Sequence, residues 1–239
     1  MNIFDKVLEL GETLKSQTQV RSINGDFEKI LVIFLSGSIR ILRSIKLLCD
    51  NDCFEDGFPL LRILLELSVD FEYIKLDRHN RAKQYIEFDK LKLNEQIDTL
   101  KDLDLALTST SKFQVEVQFK DRTRWAGVSF EKKLTDITLD EKEQTGLFSL
   151  TYKYLCSFSH SSVQGLATSV VFSQEDVSAM EAKRNNLKRS LPILSCFFVL
   201  WVCSRVDEDF SLGNSTMIEA IKAEIFHLVG INPSIQEQI

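Results

Sequence analysis

Two sets of residues in this chain have the types and spacing to do chemistry. The first is the run YKYLCSFSHSSVQG at positions 152–165, where His160 stands among Ser157, Ser159, Ser161 and Ser162. An imidazole titrates near neutrality and serves as a general acid or base. Ser157 and Ser159 could fix its tautomer or cap the helix that follows, and a structural histidine is the competing reading. The other two histidines, His79 in RHNR and His227 in a terminal amphipathic segment, read as ordinary surface or interface residues. The second set is Arg62 and Glu66, at i and i+4, with Asp70 one further step along. On a helix these three share one face.

The setting of the second set is what makes it a candidate. Leu60, Leu61, Ile63, Leu64, Leu65, Leu67 and Val69 make the segment apolar almost all round, the pattern of a buried helix. A charge in such a helix must be paired or used, because an unpaired buried charge is costly. One reading is an internal ion pair or a solvated stripe. The other is a polar pocket inside a helical bundle, with Arg62 donating to an anion and Glu66 orienting it. A third possibility joins both sets: Arg62, Glu66, Tyr154 and His160 as one buried hydrogen-bond network that fixes helix register.

Other chemistry lacks its residues. There is no G-x-x-x-x-G-K-[ST] or G-x-G-x-x-G loop, no G-x-S-x-G elbow and no H-E-x-x-H, so those nucleotide, hydrolase and metalloprotease routes have no support. The five cysteines, Cys49, Cys53, Cys156, Cys196 and Cys203, are odd in number, without C-x-x-C or zinc-site spacing. They read as core residues of a reduced compartment, with no metal and no cofactor implied. A net charge of -6 rules out a domain that coats nucleic acid by charge alone. Two basic clusters remain. Lys112, Lys120, Arg122, Arg124, Lys132 and Lys133 surround Trp125, and Lys183, Arg184, Lys188 and Arg189 lie together further on. Either could touch phosphate, but solvated helix surface is the expectation in an acidic protein.

The elements that must position these residues are helices. With 9 Gly and 3 Pro in 239 residues, turn punctuation is too sparse for a sandwich or barrel of short strands. Ile3, Phe4, Val7, Leu8, Gly11 and Leu14 repeat at helical spacing. After the Asn24-Gly25 turn, with Asp26 as N-cap, a long helix to about Cys49 turns Ile30, Ile33, Phe34, Gly37, Ile41, Ile45 and Leu48 inward. An acidic loop, DNDCFEDG, precedes a third helix with Pro59 in its first turn. A charged helix runs from His79 to about Thr108. VEVQF, at 115–119, suits a short strand, a helix end or a loop. Short helices are expected near 129–137 and 140–157. A capping box at Ser173–Asp176 opens a long helix through Val206 that bends at Pro192, and a second box at Thr216 and Glu219 opens the last helix, ending at Gly230. The apolar run at 191–204 is too short to span a bilayer, and the acidic amphipathic N-terminus is not a signal peptide. The expectation is one all-α domain over 1–239, a bundle of seven to nine helices, several long and antiparallel, in the cytoplasm and without membrane insertion.

L-R-x-L-L-E at 61–66, W-x-G at 125–127 and Y-x-x-x-S-x-S-H, ending at His160, resemble an uncharacterised bacterial all-helical family catalogued as a domain of unknown function. The resemblance covers about residues 25–205. It implies a helical fold and a polar site at Arg62, Glu66, Trp125, Tyr152 or Tyr154, Ser159 and His160. A looser similarity is to the HEPN ribonucleases of toxin and defence systems, whose Arg–x(4–6)–His pair cleaves RNA without metal in a dimer cleft. Here Lys153 stands where that arginine is required, and a lysine lacks the bidentate fork. These likenesses imply a non-catalytic or weakly catalytic bundle protein of a defence or stress system, binding a ligand or partner protein through Tyr152, Lys153, Ser159 and Trp125. The alternative is an RNA-cleaving homodimer using His160 as acid/base, Arg62 on the phosphate, and Tyr154 and Glu66 to orient them.

Overall fold

The computed structural model of the chain describes residues 2–102, 111–137, 151–153, 155–156 and 174–230. Among them it forms seven helices and no strand: α1 (Ile3–Gln19), α2 (Asp26–Asp50), α3 (Phe54–Lys75), α4 (Arg78–Asp102), α5 (Phe130–Asp136), α6 (Gln174–Phe210) and α7 (Ser215–Leu228). The all-α expectation is met, at the lower edge of the expected helix count.

Helices α2, α3 and the C-terminal half of α6 pack on one another, and α1 lies across α2 and α6. Helix α7 covers α1 and α6, α4 crosses α2 and α3, and α5 sits on α3. The core is built from side chains at helical spacing: Val7, Leu10 and Leu14 of α1; Leu31, Phe34, Leu35 and Leu42 of α2; Phe58, Leu61, Leu65 and Val69 of α3. Helix α6 contributes Leu191, Cys196, Val199, Cys203 and Val206. Its stretch Arg184–Phe210 is long and apolar enough, by length and composition, to cross a membrane, and 56% of that window is buried inside the bundle. Close approach of α1 depends on Gly11, where a Cβ would lie 2.8 Å from Ile39 Cγ1.

Several local expectations need correction. Ile33 faces out of α2, 59% exposed, and Gly37 has open space beside it. Ile30, Phe34 and Ile45 are buried as expected, and Leu31, Leu35, Ser38, Ile39 and Leu42 complete the stripe in place of Ile33 and Gly37. Asp26 is the first residue of α2, and Gly25 takes the cap without a side-chain bond. Helix α3 begins at Phe54, inside the expected acidic loop, so Pro59 falls in its second turn. Thr216 does not cap α7. Asn214 occupies that place, and its side chain donates to Asp207 Oδ1 (2.9 Å) and Gln17 Oε1 (2.9 Å) instead. Helix α6 continues through Pro192 to Phe210, four residues beyond the expected end.

The VEVQF segment is irregular chain laid back along α4. Among the described residues there is no strand to pair with it, and side chains of α4 bond its backbone. Asn94 Nδ2 donates to Phe113 O at 2.9 Å, and Phe113 N–H donates to Asn94 Oδ1 at 2.8 Å. Glu87, buried, accepts from the Glu116 N–H at 2.6 Å and from Lys90 at 2.6 Å. Burial opposes the Glu87 charge, but these two donors hold its carboxyl below the usual value. Phe88 and Phe119 meet edge to face at 5.3 Å. This strap delivers Trp125 to the flank of α3.

Candidate functional site

Helix α3 has two sides. Leu61, Leu64, Leu65 and Ser68 are buried in the bundle. Arg62, Glu66 and Asp70, each one turn apart, form a polar ridge that α5, the strap and the 151–156 segment approach. The ridge contains the expected Arg62–Glu66 ion pair and divides into an outer and an inner cluster.

In the outer cluster Arg62 Nε donates to Glu66 Oε1 at 2.9 Å, and Arg62 Nη2 donates to the Tyr152 hydroxyl at 3.4 Å. The guanidinium carbon stands 5.2 Å from the Tyr152 ring centroid. Tyr152 is itself stacked on Phe130, with centroids 4.0 Å apart and planes 10° from parallel. Side-chain exposures of 20% for Arg62 and 37% for Glu66 leave both in reach of solvent. Burial works against the Arg62 charge. The Glu66 carboxylate, with smaller help from Tyr152 and Cys156, outweighs it and holds the guanidinium above its ordinary value. Burial also lifts the Tyr152 phenol, reinforced by Glu66 and opposed by Arg62. The arrangement is a fixed cation beside a neutral phenol, suited to receive an anion's oxygen atoms.

The inner cluster centres on Asp70. Its Oδ1 accepts from Lys133 Nζ at 2.5 Å, and its Oδ2 accepts from the Trp125 indole N–H at 3.1 Å. The pair is well buried, with side-chain exposures of 10% for Lys133 and 15% for Asp70. Lys133 also lies 4.7 Å from the Trp125 ring centroid. Tyr73 and Tyr85 hold the same indole edge to face, at 5.8 and 5.0 Å. Burial raises the Asp70 carboxyl above the usual range; Lys133 and Trp125 pull it back without cancelling the effect. The W-x-G turn makes this possible: Gly127 adopts φ +64° and its N–H donates to Arg124 O at 3.1 Å, a left-handed geometry that glycine takes without strain.

Of the expected site residues, Arg62, Glu66, Tyr152 and Trp125 therefore converge on one face of α3, and Lys153, exposed, follows Tyr152 on the same helical turn. Trp125 serves Asp70 and is 7% exposed. His160, Tyr154 and Ser159 lie outside the described residues. Lys133 is a correction: it is an internal partner, whereas the expectation placed it on solvated surface. The sequence carried the signal, because Phe130, Lys133, Leu134 and Ile137 repeat at i, i+3, i+4 and i+7 along the buried face of α5. Lys132, on the other face, pairs with Asp136 at 2.6 Å as a surface residue should.

Of the cysteines expected in the core, Cys196 and Cys203 are buried, Cys49 and Cys156 are partly buried, and Cys53 is exposed. Burial pushes the Cys49 thiol up to about 11 and the Cys203 thiol up to about 12. Among the described residues no cluster of His, Cys, Asp and Glu could hold a metal ion.

Residues 28–178 match a family of unknown function, DUF5677, and the chain belongs to that family. The matched span contains α3 to α5, all of α2 but its first two residues, and every residue of the two clusters. No curated protein and no solved structure matches the chain.

Proposed function

We propose that this protein is a helical binding module whose Arg62–Glu66–Tyr152 cluster holds a small anionic ligand, a carboxylate or a phosphate. The carrying observation is the state of Arg62. Glu66 and Tyr152 orient it, yet Nη1 has no hydrogen-bond partner among the described residues and the side chain reaches solvent. A guanidinium held in place with one nitrogen left to solvent can give that nitrogen to an anion's oxygen. Arg62 and Glu66 together are neutral, and Lys153 adds a positive charge nearby. The inner Asp70–Lys133–Trp125 cluster supports the ridge from behind.

The test is thermal unfolding against a panel of nucleotides and of phosphorylated and carboxylated metabolites. A ligand at about 100 times its Kd stabilises by about 2.7 kcal/mol, which raises Tm by roughly 5–11 °C in a domain of this size. Arg62→Ala should abolish that shift while leaving the far-ultraviolet spectrum intact. A panel without any shift, or a shift that survives Arg62→Ala, sinks the reading.

A second reading, metal-independent RNA cleavage by Arg62 and His160, is favoured by one observation. Tyr152, which contacts Arg62, stands eight residues before His160 in the chain. Full cleavage of an RNA substrate by His160→Ala, or by Arg62→Ala, would rule it out.

A further inference from the structure

At the edge of the buried stripe of α2, a groove of about 540 Å³ runs between α1 and α2, with buried Ile39 among its lining residues. Its floor holds Val32, Ile33 and Gly37, and its rim holds Lys15, Arg40 and Arg43. No carboxylate lines it. Glu12, just outside, is shared by Arg43 at 2.8 Å and Lys15 at 4.0 Å. Arg40 is exposed and has no carboxylate partner among the described residues. Three cations around one carboxylate make a local positive surplus in a chain of net charge -6.

The outward stripe of α2 has helical spacing, with Ile33, Arg40, Ser44 and Leu47 exposed and Gly37 partly buried. Ile33 is 59% exposed and Leu47 64% exposed, and the space beside Gly37 is empty to 4 Å. An apolar side chain stands at each end, a gap without a side chain lies near the middle, and cations flank it. At 1.5 Å per residue, Ile33 and Leu47 are about 21 Å apart, the length of roughly four helical turns. We infer that this groove docks an acidic amphipathic helix of a partner protein. The partner's apolar seam would lie along Ile33 and Leu47, with one side chain filling the space over Gly37 and its carboxylates on Lys15, Arg40 and Arg43. A two-fold pairing of this face with itself would oppose like cations. Nucleic acid would gain little from an apolar floor without an exposed aromatic ring to stack on.

The probe is a fluorescein-labelled helical peptide of about 18 residues, with Leu along one seam and Glu on both flanks. Its control has Lys in place of each Glu. The expected result is anisotropy binding of the Glu peptide to the full chain, weakening as salt rises, and little binding of the Lys peptide. Arg40→Glu should weaken the Glu peptide about tenfold and strengthen the Lys peptide in the same measure. Gly37→Leu, which fills open space and so should fold, should block both. Several results overturn the inference: equal binding of the two peptides, no binding of either, or an Arg40→Glu protein that binds as before. Tighter binding of a single-stranded RNA oligonucleotide would assign the groove to nucleic acid. A dimer in light scattering that Arg40→Glu dissolves would assign it to a second copy.

Discussion

Replacing Lys133 by Met removes the cation from Asp70 and keeps the aliphatic volume. In the folded protein this leaves a carboxyl that is 15% exposed with one remaining donor, the Trp125 indole at 3.1 Å. Breaking a buried pair from one side costs about 3–5 kcal/mol, because the surviving charge has no partner. At 2–4 °C per kcal/mol, the melting temperature at pH 7 should fall by roughly 6–20 °C. The pH dependence gives a sharper test. In the native protein the Asp70 carboxyl already sits above its unfolded value, burial being the main cause. A raised carboxyl binds more protons folded than unfolded. Its contribution is therefore fully present below the unfolded value and is lost as pH rises through the raised one. Without Lys133 the carboxyl rises further and the window widens upward. The difference between Lys133→Met and the parent should be smallest in acid and grow as pH rises. Asp70→Leu in the Lys133→Met background should recover most of the loss, since an apolar replacement of a buried pair is often neutral. Urea unfolding followed by circular dichroism at several pH values measures all three. A loss under about 1 kcal/mol at pH 7, a pH-independent loss, or a double variant as unstable as the sum of the singles would refute the account.

Two further outcomes follow from local geometry. Gly127→Ala places a Cβ at φ +64° with no clashing neighbour, so backbone strain alone should destabilise by about 1–2 kcal/mol, read as a shift in the urea midpoint; no shift would mean that the turn is not held in this form. In thiol titration at pH 8, exposed Cys53 should react in the native protein. Buried Cys203, with only about one thiolate in ten thousand at that pH, should react on unfolding. Native-state labelling of Cys203 would contradict its place in the core.

The ridge shows where reading the chain succeeded and where it failed. Arg62, Glu66 and Asp70 were legible because their spacing is local: one helix of known period puts them on one face whatever the rest of the fold does. The apolar surroundings of α3 likewise announced a buried helix, and Leu61, Leu64 and Leu65 are buried. The same rule misplaced Ile33, because a stripe that shares Ile30, Phe34 and Ile45 satisfies nearly the same pattern, and only the position of α1 and α6 against α2 selects the face. It left strand, helix end and loop open at 115–119, and the chain there is irregular, with no partner strand among the described residues.

What the sequence determined by itself, then, is helical class, most helix positions, and the residue types of the polar ridge, all consequences of a 3.6-residue period and local turn chemistry. Pairing was decided by the tertiary structure. Asp70 reaches across 55 residues to Trp125 and 63 to Lys133, and Arg62 reaches across 90 to Tyr152. Periodicity carries no information at such separations. Any of several basic residues near Trp125 could have met Asp70 by type. Lys133 does so because the buried face of α5 packs on α3 and carries it inward, where an unpaired ammonium could not remain.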